Sequence, residues 1–155
     1  MTAFEATKRQ GVKLLRERAE TIRRVIGEVP EPRLFVPIAP GTNSVGNLAL
    51  HLAGNVRTLI GRFGGGVPYE RDRAFEFACE AMPRDELLET FDEAMQVAAA
   101  ALAGMSEETW TEVPDDTPFE GESRGDLAQR SLEHLGYHTG QIVLVGRVLS
   151  MLPPA

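Results

Sequence analysis

Residues 123–150 read SRGDLAQRSLEHLGYHTGQIVLVGRVLS, and the spacing of side chains in this stretch decides the fold. A stripe runs Leu127, Ser131, His134, His138, Gln141, Val145, Val148, at the three- and four-residue steps of one helical face. Ser123, with Asp126 three residues on, marks the helix start. The two ends of the stripe are hydrophobic, and its middle is not. His134 and His138 lie one turn apart, with Gln141 a further turn along. Burying an unpaired polar group costs ~1–3 kcal/mol, so this pattern predicts that something satisfies all three.

Working outward, three more amphipathic segments share the 3.6-residue period. The first runs from about Ala3 to Ile26, with Val12, Leu15, Ala19, Ile22 and Ile26 on one face; Thr2 and Glu5 form a capping box and Gly27 is a stop signal. Pro30, Pro32, Pro37 and Pro40 then exclude a helix. Thr42, Asn43 and Ser44 offer N-caps to a second segment carrying Val45, Leu48, Leu52, Val56 and Leu59. It ends near Phe63 at the Gly64–Gly66 triplet. Pro83 opens a third helix, with Leu87, Phe91, Ala94, Ala98 and Leu102 as its stripe and Gly104 closing it. Only Trp110–Val113 hints at short extended pieces. Four apolar-striped helices predict an all-α four-helix bundle, read as a single domain over residues 1–155. Its connections, of about 16, 19 and 18 residues, exceed the usual 2–8 and predict crossover topology.

Composition narrows the function. The chain of 155 residues is 43% hydrophobic, enough for a core, and its net charge of −7 disfavours nucleic-acid and anionic-membrane partners. Its single cysteine, Cys79, forms no internal disulfide and fits a reducing cytoplasm. The apolar runs Val97–Ala103 and Ile142–Val145 fall far short of the ~20 residues that span a bilayer, and no signal peptide is evident. The expected protein is cytoplasmic.

The remaining histidine, His51, lies in the middle of the second helix between Asn47 and Asn55. If that helix neighbours the fourth, all three imidazoles converge inside the bundle, and three neutral imidazoles bind zinc, nickel or another divalent ion. Spacing alone leaves a second reading open, in which each histidine sits at the core edge bonded to a carbonyl or an asparagine. Other metal patterns fail. A di-iron bundle needs Glu-x-x-His, but Leu48, Ser131 and Leu135 stand three before the histidines. A zincin needs Glu after its first histidine, and Leu follows both His51 and His134.

The segments 47–55 (NLALHLAGN) and 133–141 (EHLGYHTGQ) resemble the two signature regions of the DinB-like (YfiT-like) superfamily of metal-binding bundles. Residues 71–77 (RDRAFEF) resemble one uncharacterised branch of it. The resemblance implies a crossover four-helix bundle, usually a homodimer, with one divalent ion on His51, His134 and His138. It also implies chemistry such as thiol-dependent S-transfer or isomerisation with bacillithiol or mycothiol.

Around such a centre Gln141 and Asn55 are expected to orient an imidazole or a bound water, and Asn47 has the same alternatives. Glu76 is a further candidate as a general base. Arg71 and Arg73 could clamp a carboxylate on an incoming thiol, against a plainer role in ion pairs that fasten the loop. Cys79 reads as a small apolar residue, Trp110 and Phe119 as covers for the bundle's end, and Gly136 and Gly140 as places of close helix approach or a dimer contact. The leading expectation is a metal-dependent thiol S-transferase acting on small electrophiles, with a low-molecular-weight thiol as co-substrate. A metal-dependent hydrolase and a non-catalytic metal-binding or dimerisation bundle are the alternatives.

Overall fold

The computed structural model describes residues 1–153, and every regular element among them is helical. Four long helices match the four stripes. Helix α1 spans Ala3–Glu28, with the Thr2–Glu5 capping box in place. Helix α2, Val45–Val56, starts on the Ser44 hydroxyl, which accepts from the Asn47 amide, and continues as a π-helical segment over Arg57–Gly64. The chain then turns at Gly66, whose φ of +67° is a left-handed value that glycine adopts without strain. Two short helices occupy the connections: α3, Arg73–Ala78, capped by Asp72, and α5, Glu107–Thr111, capped by Ser106. The third long helix, α4, is Arg84–Gly104, and the fourth, α6, is Arg124–Met151 with a Ser123–Asp126 capping box. The expected extended piece at Trp110–Val113 is thus corrected at Trp110 and Thr111, where the Ser106 cap starts a turn of helix, while Glu112 beyond it is extended.

Helix packing explains the long connections. Helix α1 packs against α4 and α6, and α2 packs against the same two, while α1 and α2 barely touch. Consecutive helices α1 and α2 therefore sit diagonally across the bundle. The segment between them has to cross its end, which no two-to-eight-residue loop can do. Arg33 fastens that crossing by donating to the carbonyls of Leu149 and Leu152, each at 3.0 Å. The Gly46 amide joins it to the start of α2 through the Leu34 carbonyl at 2.7 Å. The second crossing, from α4 to α6, is covered by Trp110, which lies against Gly125 and meets Phe4 edge-on at 5.7 Å. Phe119 packs on a separate cluster of Leu59, Phe63 and Leu127.

Helix α2 is buried along all of Val45–Val56. It holds a central position, with α3 on its outer side and α4 and α6 flanking it. The main core gathers around Phe91, Leu15, Ile22, Leu52, Leu102 and Leu135, each fully enclosed. Gly136 and Gly140 open onto free space, and among the described residues no other element lies within 4 Å of where their Cβ would stand. No described helix is long and apolar enough to cross a membrane. Truncating the enclosed Phe91 (0% exposed) to alanine is expected to lower stability by about 3–5 kcal/mol. Urea unfolding followed by circular dichroism would register this as a fall in midpoint at unchanged slope.

Candidate metal centre

The centre is built where α2 and α6 run side by side. His51 projects from the middle of α2, and the His134–His138 pair projects from the facing turn of α6. The adjacency that the sequence reading requires is present. One ring nitrogen from each of the three histidines lies within 4.8 Å of the other two. The Nε2 atoms of His51 and His134 approach to 2.8 Å. Ring centroids are 4.3–5.2 Å apart with planes nearly perpendicular, as befits edges converging on a point rather than stacked faces.

On the far side of each of two rings an oxygen acceptor faces Nδ1 and favours the Nδ1–H tautomer, with Arg71 Nη2 also 3.1 Å from His51 Nδ1. His51 Nδ1–H donates to Glu76 Oε2 at 3.0 Å. His138 Nδ1–H donates to Gln141 Oε1 at 2.5 Å. Both rings therefore keep Nε2 bare and aimed inward. A bare Nε2 facing His134 Nε2 at 2.8 Å is repulsive unless a proton or a cation lies between the two lone pairs. Three neutral imidazoles with converging lone pairs fit a borderline divalent cation. Electrostatics favours the neutral form of His134 and His138 as well. Burial first, then the neighbouring His138 and His51 and the cations Arg71 and Arg73, pull the His134 pKa down to about 4. Burial likewise lowers that of His138, although the Gln141 hydrogen bond works against it.

Glu76 comes from α3. It is 4% exposed, and burial alone would favour its protonated form. The hydrogen bonds from His51 and Arg71 outweigh this and hold it below the usual carboxylate range. Arg71 binds it in a fork, Nε to Oε1 at 2.6 Å and Nη2 to Oε2 at 2.8 Å. Arg71 thus clamps a carboxylate of its own chain, and both Glu76 oxygens are engaged by it and by His51. Asn47 Nδ2 donates to the carbonyls of Glu76 and Cys79 at 3.0 and 2.8 Å, tying α3 to the start of α2. Cys79 is half-buried and packs against the main core.

Asn55 sits apart from the histidines. Its Oδ1 accepts from the Ser131 hydroxyl at 2.7 Å, an α2–α6 link one turn below the His51–His134 approach. The side chain explains why an asparagine tolerates a helix interior, and Ser131, unremarked among the stripe positions, is its partner. Arg73 is exposed, with its guanidinium 5.7 Å from the Phe77 ring. Two further aromatics flank the centre without having drawn notice in the sequence: Phe77, 4.8 Å from the His51 ring, and Tyr137, 5.1 Å from that of His138. Both are exposed, so no core stripe marks them.

The depressed His134 pKa carries a stability consequence for the metal-free protein. The unfolded chain takes up a proton near the ordinary 6.5, whereas the folded one does so only near 4. Stability from this residue is whole above that upper value and drains away as pH falls toward the lower one. Thermal melts in chelator should show a lower Tm at pH 4.5 than at pH 7, with a flatter dependence in His134→Gln.

The family described as "Protein of unknown function (DUF1572)" matches residues 5–151, and the chain belongs to that family. No curated protein matches it by sequence. Among solved structures it is similar to a conserved protein from Enterococcus faecalis, with a TM-score of 0.76 and 16% identity over 96% of this chain and 98% of the other. It is also similar to a DinB-like protein from Bacillus cereus ATCC 10987, with a TM-score of 0.67 and 17% identity over 89% of each chain. The fold is DinB-like.

Proposed function

We propose that this DUF1572 chain is a metal-dependent enzyme with a mononuclear centre on His51, His134 and His138, and that it transfers a thiol to small electrophilic molecules. One observation carries the reading. Three imidazole nitrogens lie within 4.8 Å of one another, and three polar residues of the neighbouring segments are engaged elsewhere. Glu76 is held by His51 and Arg71, Asp72 caps α3 through the Phe75 amide, and Gln141 accepts from His138. Structural zinc sites are closed by four protein ligands, whereas catalytic ones keep three and leave a position for an exchangeable group.

A zinc or nickel ion held there would supply Lewis acidity and lower the pKa of a thiol or water presented to it. The chain's own residues do the remaining work. His51 and His138 are kept as Nδ1–H tautomers, so no proton has to leave the ligating nitrogens at neutral pH. Phe77 and Tyr137 supply apolar surface beside the histidines, and the Arg73 guanidinium offers a contact for a carboxylate on the incoming thiol. Beside Gln141 a groove of about 300 Å³, walled by Ile38, Leu48, Leu144 and Val145, carries no charged group and would take an uncharged portion of the acceptor. The preference for a thiol over water rests on the resemblance of residues 47–55 and 133–141 to the DinB-like signatures.

The double variant His134→Ala/His138→Ala is expected to lose the roughly stoichiometric metal of the wild type, measured by elemental analysis alongside circular dichroism. Full retention of metal would overturn the centre. A panel of electrophiles assayed with and without low-molecular-weight thiols should show turnover only with thiol. A thiol-independent rate would move the reading to hydrolysis, and metal binding with no turnover to a non-catalytic bundle.

A further inference from the structure

We propose that Glu76, clamped by Arg71 in a space that Gly54 leaves on α2, is the positioning residue that presents His51 to the ion; this rests on the three-histidine reading above. The starting observation is a glycine in the wrong place. Gly54 lies inside α2, whose residues are all buried, where glycine is a poor helix former and contributes no side chain to the core. A Cβ there would overlap Glu76 Oε1 and stand 2.9 Å from both the Glu76 Cδ and the Arg71 Nε. No backbone turn requires this glycine. The carboxylate of Glu76 does.

Geometry excludes the two other roles that a buried carboxylate beside a metal centre suggests. Oε1 receives Arg71 Nε, and Oε2 receives both Arg71 Nη2 and His51 Nδ1. Glu76 meets His51 at Nδ1, on the side of the ring away from His134, and Arg71 holds it there, so it stands behind the ligand and not beside the ion. It acts through His51. Its acceptor holds the imidazole proton on Nδ1, leaving Nε2 as the ligand atom, and it fixes the ring plane at the same time. Arg71 adds a bond from Nη2 to the His51 carbonyl at 3.2 Å, so the clamp grips the helix as well as the side chain. Helix α3 is thereby a working part of the centre. By linkage, an ion that binds the oriented His51 also favours the docked position of α3.

The test is Zn²⁺ affinity of the full chain, by competition with a chromophoric chelator, together with the visible spectrum of the Co²⁺-loaded protein. Glu76→Ala and Gly54→Ala should each weaken Zn²⁺ binding by about 10–100-fold. Glu76→Gln, which still offers His51 an oxygen, should recover part of that loss. The double variant should bind no more than about twofold worse than Glu76→Ala alone, because Gly54 acts only through the carboxylate. Should Gly54→Ala fail to fold, Arg71→Gln releases the same carboxylate without touching α2, and the same non-additivity is expected. Wild-type affinity in either single variant, or losses that multiply in the double variant, would overturn the positioning role. Failure of the wild type itself to bind Zn²⁺ or Co²⁺ would instead overturn the metal centre.

Discussion

Everything distinctive in this bundle depends on polar side chains meeting across the interface between α2 and α6. An apolar pair of helices would pack with many near-equivalent registers. Here the His51 and His134 nitrogens approach to 2.8 Å, and one turn away Ser131 donates to Asn55 at 2.7 Å. Each of these groups is costly to bury alone, and the Ser131–Asn55 bond, like a proton or cation shared by the two imidazoles, needs one axial and rotational alignment of the two helices. The surrounding leucines supply the bulk of the burial, and the polar contacts choose the alignment.

That alignment is useful only because a third element reaches it. A simple up-and-down bundle would place α1 beside α2 and leave no reason for long connections. With consecutive helices on the diagonal, the chain crosses the bundle's ends, and the segment between α2 and α4 lies along the outer side of α2. There α3 delivers Glu76, Asp72 caps it, and Asn47 ties its C-terminal carbonyls back to α2. The result is a layered site. Three imidazoles face inward, Glu76 and Gln141 stand behind two of them, and Arg71 stands behind Glu76. The net charge of the supporting Arg71–Glu76 pair is zero, so it orients the His51 ring without an added countercharge.

Some of the centre could be read before any coordinates. The His134–His138 pair is a statement about helical geometry, and a helix was certain there. Gln141, one further turn along, falls on the same face and does bond His138. Asn55 matches the same logic from α2 but turns to Ser131, because side-chain rotation about a helix is not contained in residue spacing. For Glu76 the sequence offers a general base, and for Arg71 a clamp or a loop-fastening ion pair, but not that the two pair with each other beneath His51. Their burial arises from the docking of α3, which has only six residues and no stripe long enough to announce a buried face. Phe77 and Tyr137 were invisible for the opposite reason: they are exposed, and exposure leaves no periodic mark.

By itself the sequence determined what depends on neighbours along the chain. The four helical periods, the Thr2, Ser44 and Ser123 caps, the glycine and proline breaks and the one-turn histidine spacing are all set within about four residues by backbone hydrogen bonding and side-chain pitch. Tertiary structure decided which helix faces met. His51 and Glu76 are 25 residues apart and His51 and His134 are 83 apart, and nothing local brings either pair together. Their meeting follows from the diagonal placement of α1 and α2, the crossings this imposes and the room left by one glycine. These follow from the global fit of buried surfaces, to which each residue contributes only through partners distant in sequence.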